Sequence, residues 1–234
     1  MKYIPLVLLI IIATLFSCTN SNVSKNFVLD GKIKGVTKGT VFLRKKLDTI
    51  FVVVDSFDIK KNGAFSLSDN IDSPEIYYLR LNEVPNDSIL IFAEKGKIDL
   101  TTTLNRFSLD SKIKGSTNHD LLMEYKEMIT KFNDARLDLF KANFEAEKAK
   151  NQQALDSINK LYRNHVKRRQ LYSANFAVKH ANKEVAPYIA LTELYNANVS
   201  LLDTINNSLN ASVKSSNYGK QLDKFITFIN KDLK

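Results

Sequence analysis

Apolar and polar residues alternate singly from Phe27 to about Gly115. The runs are Phe27, Leu29, Ile33; Val41, Leu43; Phe65, Leu67; Ile76, Tyr78; Ile89, Ile91; and Ile98, Leu100. Phe51-Val52-Val53-Val54 is apolar at every position. Period two in β-branched and aromatic residues predicts strands that bury one face. Turn residues punctuate the runs at Lys38-Gly39, Lys61-Asn62-Gly63, Ser73-Pro74, Pro85-Asn86-Asp87 and Lys95-Gly96. Asn62-Gly63 reads as a tight hairpin turn, because both residue types tolerate positive φ. Seven or eight short strands at this spacing predict an antiparallel β-sandwich or jelly-roll-like sheet over 27–116.

From Thr117 the period changes to 3.6. Leu121, Tyr125, Met128, Phe132, Ala135 and Leu139 recur at steps of four and three, and Leu155, Ile158, Tyr162, His165, Arg169, Tyr172 and Phe176 do the same. Thr117 with Asp120 resembles a capping box that would start the first helix. No proline falls between Pro85 and Pro187. Two long helices are therefore expected, either folded back as a hairpin near Asn151 or continuous through the weak break Lys150-Asn151-Gln152-Gln153. Pro187 suits the first turn of a shorter helix. Two more short helices fit Leu201–Leu209 and Leu222–Ile229. The fold class is thus α+β, with an all-helical region over 117–234.

The first residues carry a different signal. Lys2 precedes an apolar run from Leu6 to Phe16, and Leu15-Phe16-Ser17-Cys18 looks like a lipobox. The run is too short for the roughly 20 residues that span a bilayer as a helix. Residues 1–17 read as a lipoprotein signal peptide and 18–26 as a polar tether. Cys18 is then the lipidation site and membrane anchor. Several acyl chains, at about 0.8 kcal/mol per buried CH₂, would hold the chain to a membrane. The expected location is the cell envelope, facing the periplasm, with exposure at the cell surface left open.

Cys18 is the one cysteine, so its acylation would leave no thiol for redox chemistry or a disulfide. The chain has 34 basic and 25 acidic residues, a formal charge of +9. The excess lies mainly in the helical half. Arg163, Lys167, Arg168 and Arg169 form its sharpest cluster. That cluster would either take an acidic partner or pair with Asp134, Asp138, Glu145 and Glu147 on the preceding helix, and the pairing is preferred. Acidic head groups or glycans suit an exported protein better than nucleic acid, which is not expected as a partner.

Three histidines, His119, His165 and His180, have no zinc-ligand spacing. His119 is expected to be exposed at a helix start, and His165 to be hydrogen-bonded on the helical seam. Asp55, Asp58 and Glu94 are scattered carboxylates, whereas glycosidase chemistry needs two acids on one cleft wall. There is no G-x-S-x-G, Walker loop or G-x-G-x-x-G, and no cofactor is expected.

The β half resembles the N-terminal domain of unknown function that precedes a thioredoxin-like domain in lipoproteins of Bacteroidetes. Phe27, Leu29, Gly31, Ile33 and Gly35 carry the likeness. It continues through Gly39-x-Val41-x-Leu43, Asp55-Ser56, Gly63-x-Phe65-x-Leu67, Glu94-x-Gly96-x-Ile98 and Gly115-Ser116-x-Asn118. The helical half is similar to the family's linker, ending in Ser216-x-Tyr218-Gly219-Lys220. In such relatives a C-x-x-C domain would begin close to where this chain stops, at Lys234. The resemblance therefore implies fold and location, not oxidoreductase activity.

The expected function is a non-catalytic, lipid-anchored binding or scaffold module for a protein or small ligand. The alternatives are an accessory docking partner of a separate thiol-disulfide oxidoreductase, and a hydrolase with an unrecognised carboxylate site. A family-level O-glycosylation pattern of exported Bacteroidetes proteins, Asp followed by Ser or Thr and an aliphatic residue, falls at Thr49, Ser88, Ser157 and Thr204.

Overall fold

A computed structural model describes residues 25–47 and 49–232. The expected leader, Cys18 and most of the expected tether lie outside the described residues. Eight strands come first: β1 (Phe27–Lys34), β2 (Gly39–Leu47), β3 (Ile50–Ile59), β4 (Ala64–Asp69), β5 (Glu75–Leu81), β6 (Ile89–Ala93), β7 (Gly96–Thr103) and β8 (Lys112–Lys114). They form two four-stranded sheets, ordered β4-β1-β7-β8 and β3-β2-β5-β6. The alternation does what its period requires: Phe27, Leu29, Ile33, Val41, Leu43, Leu79, Ile91, Ile98 and Leu100 meet in one buried core between the sheets.

Two details depart from the expected sandwich. β1 pairs parallel with β7 over eight residues, from Phe27↔Gly96 to Lys34↔Thr103, inside otherwise antiparallel sheets. Asn62-Gly63 does not close a hairpin, because β3 and β4 belong to different sheets. Gly63 does adopt the expected positive φ, +74°. A side chain there would strike the Ile33 carbonyl oxygen, 2.0 Å from an added Cβ. The turn hands the chain across the sandwich. Gly31 has a different reason: the Phe65 ring lies 2.1 Å from where its Cβ would stand.

Six helices follow: α1 (Thr117–Lys148), α2 (Gln152–Lys179), α3 (Val185–Glu193), α4 (Val199–Ser208), α5 (Ala211–Ser215) and α6 (Asn217–Asp232). α1 and α2 form a hairpin rather than one rod. Lys150 takes φ +53°, which breaks the helix, and the Asn151 side chain caps α2 at Ala154 N. The cap of α1 is Ser116, not Thr117; its hydroxyl accepts the His119 N–H at 3.0 Å. Thr204 lies within α4, whose cap is Asn198. Pro187 sits in the first turn of α3, and the expected last helix is longer than its apolar run.

The helices do not form a separate body. Ile76 and Phe92, on the outer face of β5 and β6, are buried against Leu122, Tyr125, Phe176, Val185 and Ile189. A third core joins the end of α2 to α3, α4, α5 and α6. Among the described residues no helix is long and apolar enough to cross a membrane.

Candidate functional site

Where the sandwich meets the helices, the structure opens a polar cleft of about 700 Å³. One wall comes from Lys45, Glu75, Glu94 and Lys95 at the ends of strands. The other comes from Glu184 before α3 and Lys220 on α6, with serines and Asn217 between them.

Two charged groups of the cleft, Lys45 and Glu75, are tied into a network with Asp69 and Tyr77. Lys45 Nζ lies 3.4 Å from both Asp69 and Glu75. The Tyr77 hydroxyl donates to Asp69 at 2.7 Å. Burial alone would raise the Asp69 pKa, but bonds from Tyr77, the Asn70 N–H and Lys45 outweigh it and hold the carboxyl below its usual range. Burial, then the bond to Asp69, pushes the Tyr77 hydroxyl far up. Lys45 is thus shared by two carboxylates, and the depressed pKa of Asp69 keeps that group ionised near neutral pH.

Glu94 serves as a latch. It accepts the Ser116 hydroxyl at 3.0 Å and the Asn118 N–H. A carboxylate at this helix start satisfies free amide donors and the positive end of the helix dipole. Asn118 is itself buried. Its amide donates to Glu184 at 3.0 Å and its carbonyl oxygen accepts the Val185 N–H at 2.8 Å. One buried side chain thus ties the starts of α1 and α3 together. His119 is buried, contrary to expectation, and its Nδ1 accepts the Phe92 N–H at 3.4 Å. Burial pushes its pKa down to about 4, with Asp120 opposing and Lys126 assisting.

The other sequence candidates disperse. Asp55 caps backbone N–H groups of Ser56 and Ser68, and Asp58 accepts from Thr40, so neither shares a wall with Glu94. The basic cluster does not pair with α1. Arg169 pairs with Glu193 at the end of α3, and Arg163, Lys167 and Arg168 are exposed on α2 with no ion pair within 4.0 Å among the described residues. Three residues in a row point in three directions around a helix, which a linear cluster conceals. His165 lies on the α1–α2 seam, edge-on to Phe132 at 5.6 Å, but its Nε2 has no hydrogen-bond partner.

Thr49, Ser88, Ser157 and Thr204 are all exposed. On the helices, the Ser157 and Thr204 hydroxyls donate back to the carbonyls of Gln153 and Ser200. Among the described residues no group of three or more His, Cys, Asp or Glu could hold a metal ion.

Sequence reading missed Asn118 and Glu184 as partners, since 66 residues separate them. The signal available was Glu94 with Ser116 and Asn118 among the residues that carry the family likeness. Residues 27–122 match a family model described as a domain of unknown function (DUF4369). No curated protein and no solved structure matches the chain. The matched segment runs past β8 into α1, and so contains Glu94, Ser116, Asn118 and His119. The sandwich of this chain, with the helix start latched to it, is the part that matches the DUF4369 family model.

Proposed function

We propose that this chain is a lipid-anchored, periplasm-facing module of the bacterial envelope that binds a polar ligand or peptide segment and has no catalytic activity of its own. The observation that carries the reading is the polar cleft at the sandwich–helix junction, where Glu75, Glu94 and Glu184 are engaged in structural bonds. Its position supports the anchor. Asn26, the last tether residue, exchanges two hydrogen bonds with Ile71 and accepts from the Gly96 N–H at 2.7 Å. Both contacts border the cleft, beside Asp72 and Lys95. A tether from Cys18 to Asn26, at about 3.3–3.6 Å per residue, would keep the cleft within roughly 30 Å of the membrane.

The hydrolase reading has one observation on its side, since Glu75 and Glu94 line the same cleft. Lys45 and the α1 cap hold those two carboxylates, which leaves neither free to activate water.

The anchor is tested in the native host. Wild-type protein is expected in the membrane fraction, and Cys18→Ser protein is expected to stay unprocessed or leave the membrane. Normal cleavage and unchanged fractionation of Cys18→Ser would refute the anchor. The cleft is tested by a thermal-shift screen of soluble protein against peptides and saccharides. A stabilising ligand should lose at least tenfold in affinity with Lys220→Glu, a change at the cleft rim. Turnover of any glycoside or ester that Glu94→Gln abolishes in a folded protein would instead make this an enzyme.

A further inference from the structure

The α1–α2 hairpin leaves large apolar side chains in water along one side. Phe140 is 70% exposed, Phe144 58% and Leu137 52%, and Tyr162 and Val166 on α2 are also exposed. Apolar surface of this extent on a soluble face marks an interaction site. The residues are ordered. On α1, Asn133, Leu137, Phe140 and Phe144 step by four, three and four. On α2, Leu155, Asn159, Tyr162 and Val166 do the same. Both stripes lie on single helix faces. They share one side of the hairpin: a groove of about 430 Å³ is lined by Asn133, Leu137 and Phe140 together with Ile158, Asn159 and Tyr162.

Nearer the sandwich this side of the hairpin is already filled. Leu122 and Ile129 lie two and one heptads before Arg136, which also lines the groove. Both are buried in the core that holds Val185 and Ile189 of α3. α3 ends at Glu193, where Arg169 meets it. Beyond that contact no other segment among the described residues lines the groove.

We propose that a second copy of this chain fills the groove, so that two hairpins form an antiparallel four-helix bundle about a two-fold axis. The spacing selects this partner. A two-fold between the levels of Leu137 and Phe140 sets Leu137 against the partner's Phe140 and Phe144 against the partner's Asn133. The same axis falls between Asn159 and Tyr162 on α2, and sets Leu155 against the partner's Val166. Both stripes come into layer register through one operation, which is the self-complementarity an isologous interface needs.

Charges at the rim agree. In this register Asp134 lies within two residues of the level of the partner's Lys141, and Asp156 within two of the partner's Arg163 and the partner's Lys167. The antiparallel sense follows from α3. A two-fold along the hairpin would bring two α3 helices to the same level. The antiparallel one places the partner's tip in line with the end of α3.

The area suffices. The five exposed side chains, at roughly 150–250 Å² for a whole aromatic, leave on the order of 500 Å² per copy. The remainder of two helices about 24 Å long and 10 Å wide brings this near the roughly 800 Å² per partner of a standard interface.

The test uses residues 25–234, which hold all three cores. Sedimentation equilibrium should give a dimer. Phe140→Lys, at a solvent-exposed position, should weaken it at least tenfold with unchanged circular dichroism. Leu161→Lys, on the opposite side of the hairpin, should leave it intact. The register is tested by a chain carrying both Asn133→Cys and Phe144→Cys, expected to form a covalent dimer on mild oxidation. A chain carrying Asn133→Cys and Leu137→Cys should not. A monomer at 100 μM would overturn the proposal, as would a dimer unaffected by Phe140→Lys. Binding of the monomer to phosphatidylglycerol vesicles that Phe140→Lys abolishes would overturn it in favour of a membrane surface.

Discussion

Replacing Phe92 with alanine is expected to cost about 3–5 kcal/mol, the usual range for deleting a buried phenylalanine ring. Phe92 is fully buried on the outer face of β6. Its ring meets Tyr188 of α3 and Tyr218 of α6 edge-on, with centroids 5.6 and 5.9 Å away. Edge-to-face aromatic pairs add about 0.5–1.5 kcal/mol each beyond the area they bury. Tyr218 cannot slide into the space without loss, since its hydroxyl accepts the Ile76 N–H at 3.0 Å. The cavity therefore persists between sheet and helices. Stabilities of domains run to about 5–15 kcal/mol, so the loss is a large share of the total. Urea unfolding followed by circular dichroism should show a lower midpoint and an early helical transition, because the sandwich core on the other face of the sheet is untouched. A loss below about 1 kcal/mol, with one unbroken transition, would show that the helices do not depend on this contact.

Stability is also expected to fall between pH 6.5 and 4 through His119. Its imidazole takes up a proton near 6.5 in the unfolded chain and near 4 in the folded one. Between those values the unfolded state binds more protons, so acid draws the equilibrium toward it. The contribution is whole above about pH 6.5 and is lost as the pH falls toward 4. A gap of this size corresponds to on the order of 3 kcal/mol. The cause is chiefly burial, which disfavours the charged ring. His119 also lies in the first turn of α1, where the helix dipole disfavours a cation, and its Nδ1 accepts from Phe92 only when unprotonated. His119→Gln should be less stable than wild type at pH 7.5 and lose less between pH 6.5 and 4. Parallel curves for the two proteins would remove His119 from the account. Carboxylates such as Asp30 and Asp69, held below their ordinary range, stabilise the fold above about pH 4 and lose that contribution only as the pH falls further.

These two effects meet at one seam, and the seam was the least legible part of the chain. Six of the eight strands were announced by their alternation and β3 by an apolar run, whereas β8 carried no such signal. Phe51–Val54 shows the limit of that reading. It is apolar throughout, yet β3 is an edge strand, and Phe51 and Val53 are exposed. Burial on both faces depends on which neighbours arrive, not on the segment itself. The cleft was invisible for the same reason. Its walls come from residues 45 to 220, and its acids look like any other surface carboxylates until their partners are placed.

By itself the sequence determined the alternating strands, their order, the change of period at Thr117 and a weak break at Lys150-Asn151 that left a hairpin and a single rod both open. Each follows from a preference one short segment expresses alone: strand or helix period, turn chemistry, the spacing of apolar groups. The tertiary structure alone decided the parallel pairing of β1 with β7, the burial of His119, the division of the basic cluster and the latch of Glu94, Asn118 and Glu184. Those depend on contacts between segments 24 to 69 residues apart. Which distant partner a polar group finds is set by how the sheets and helices close over their shared cores.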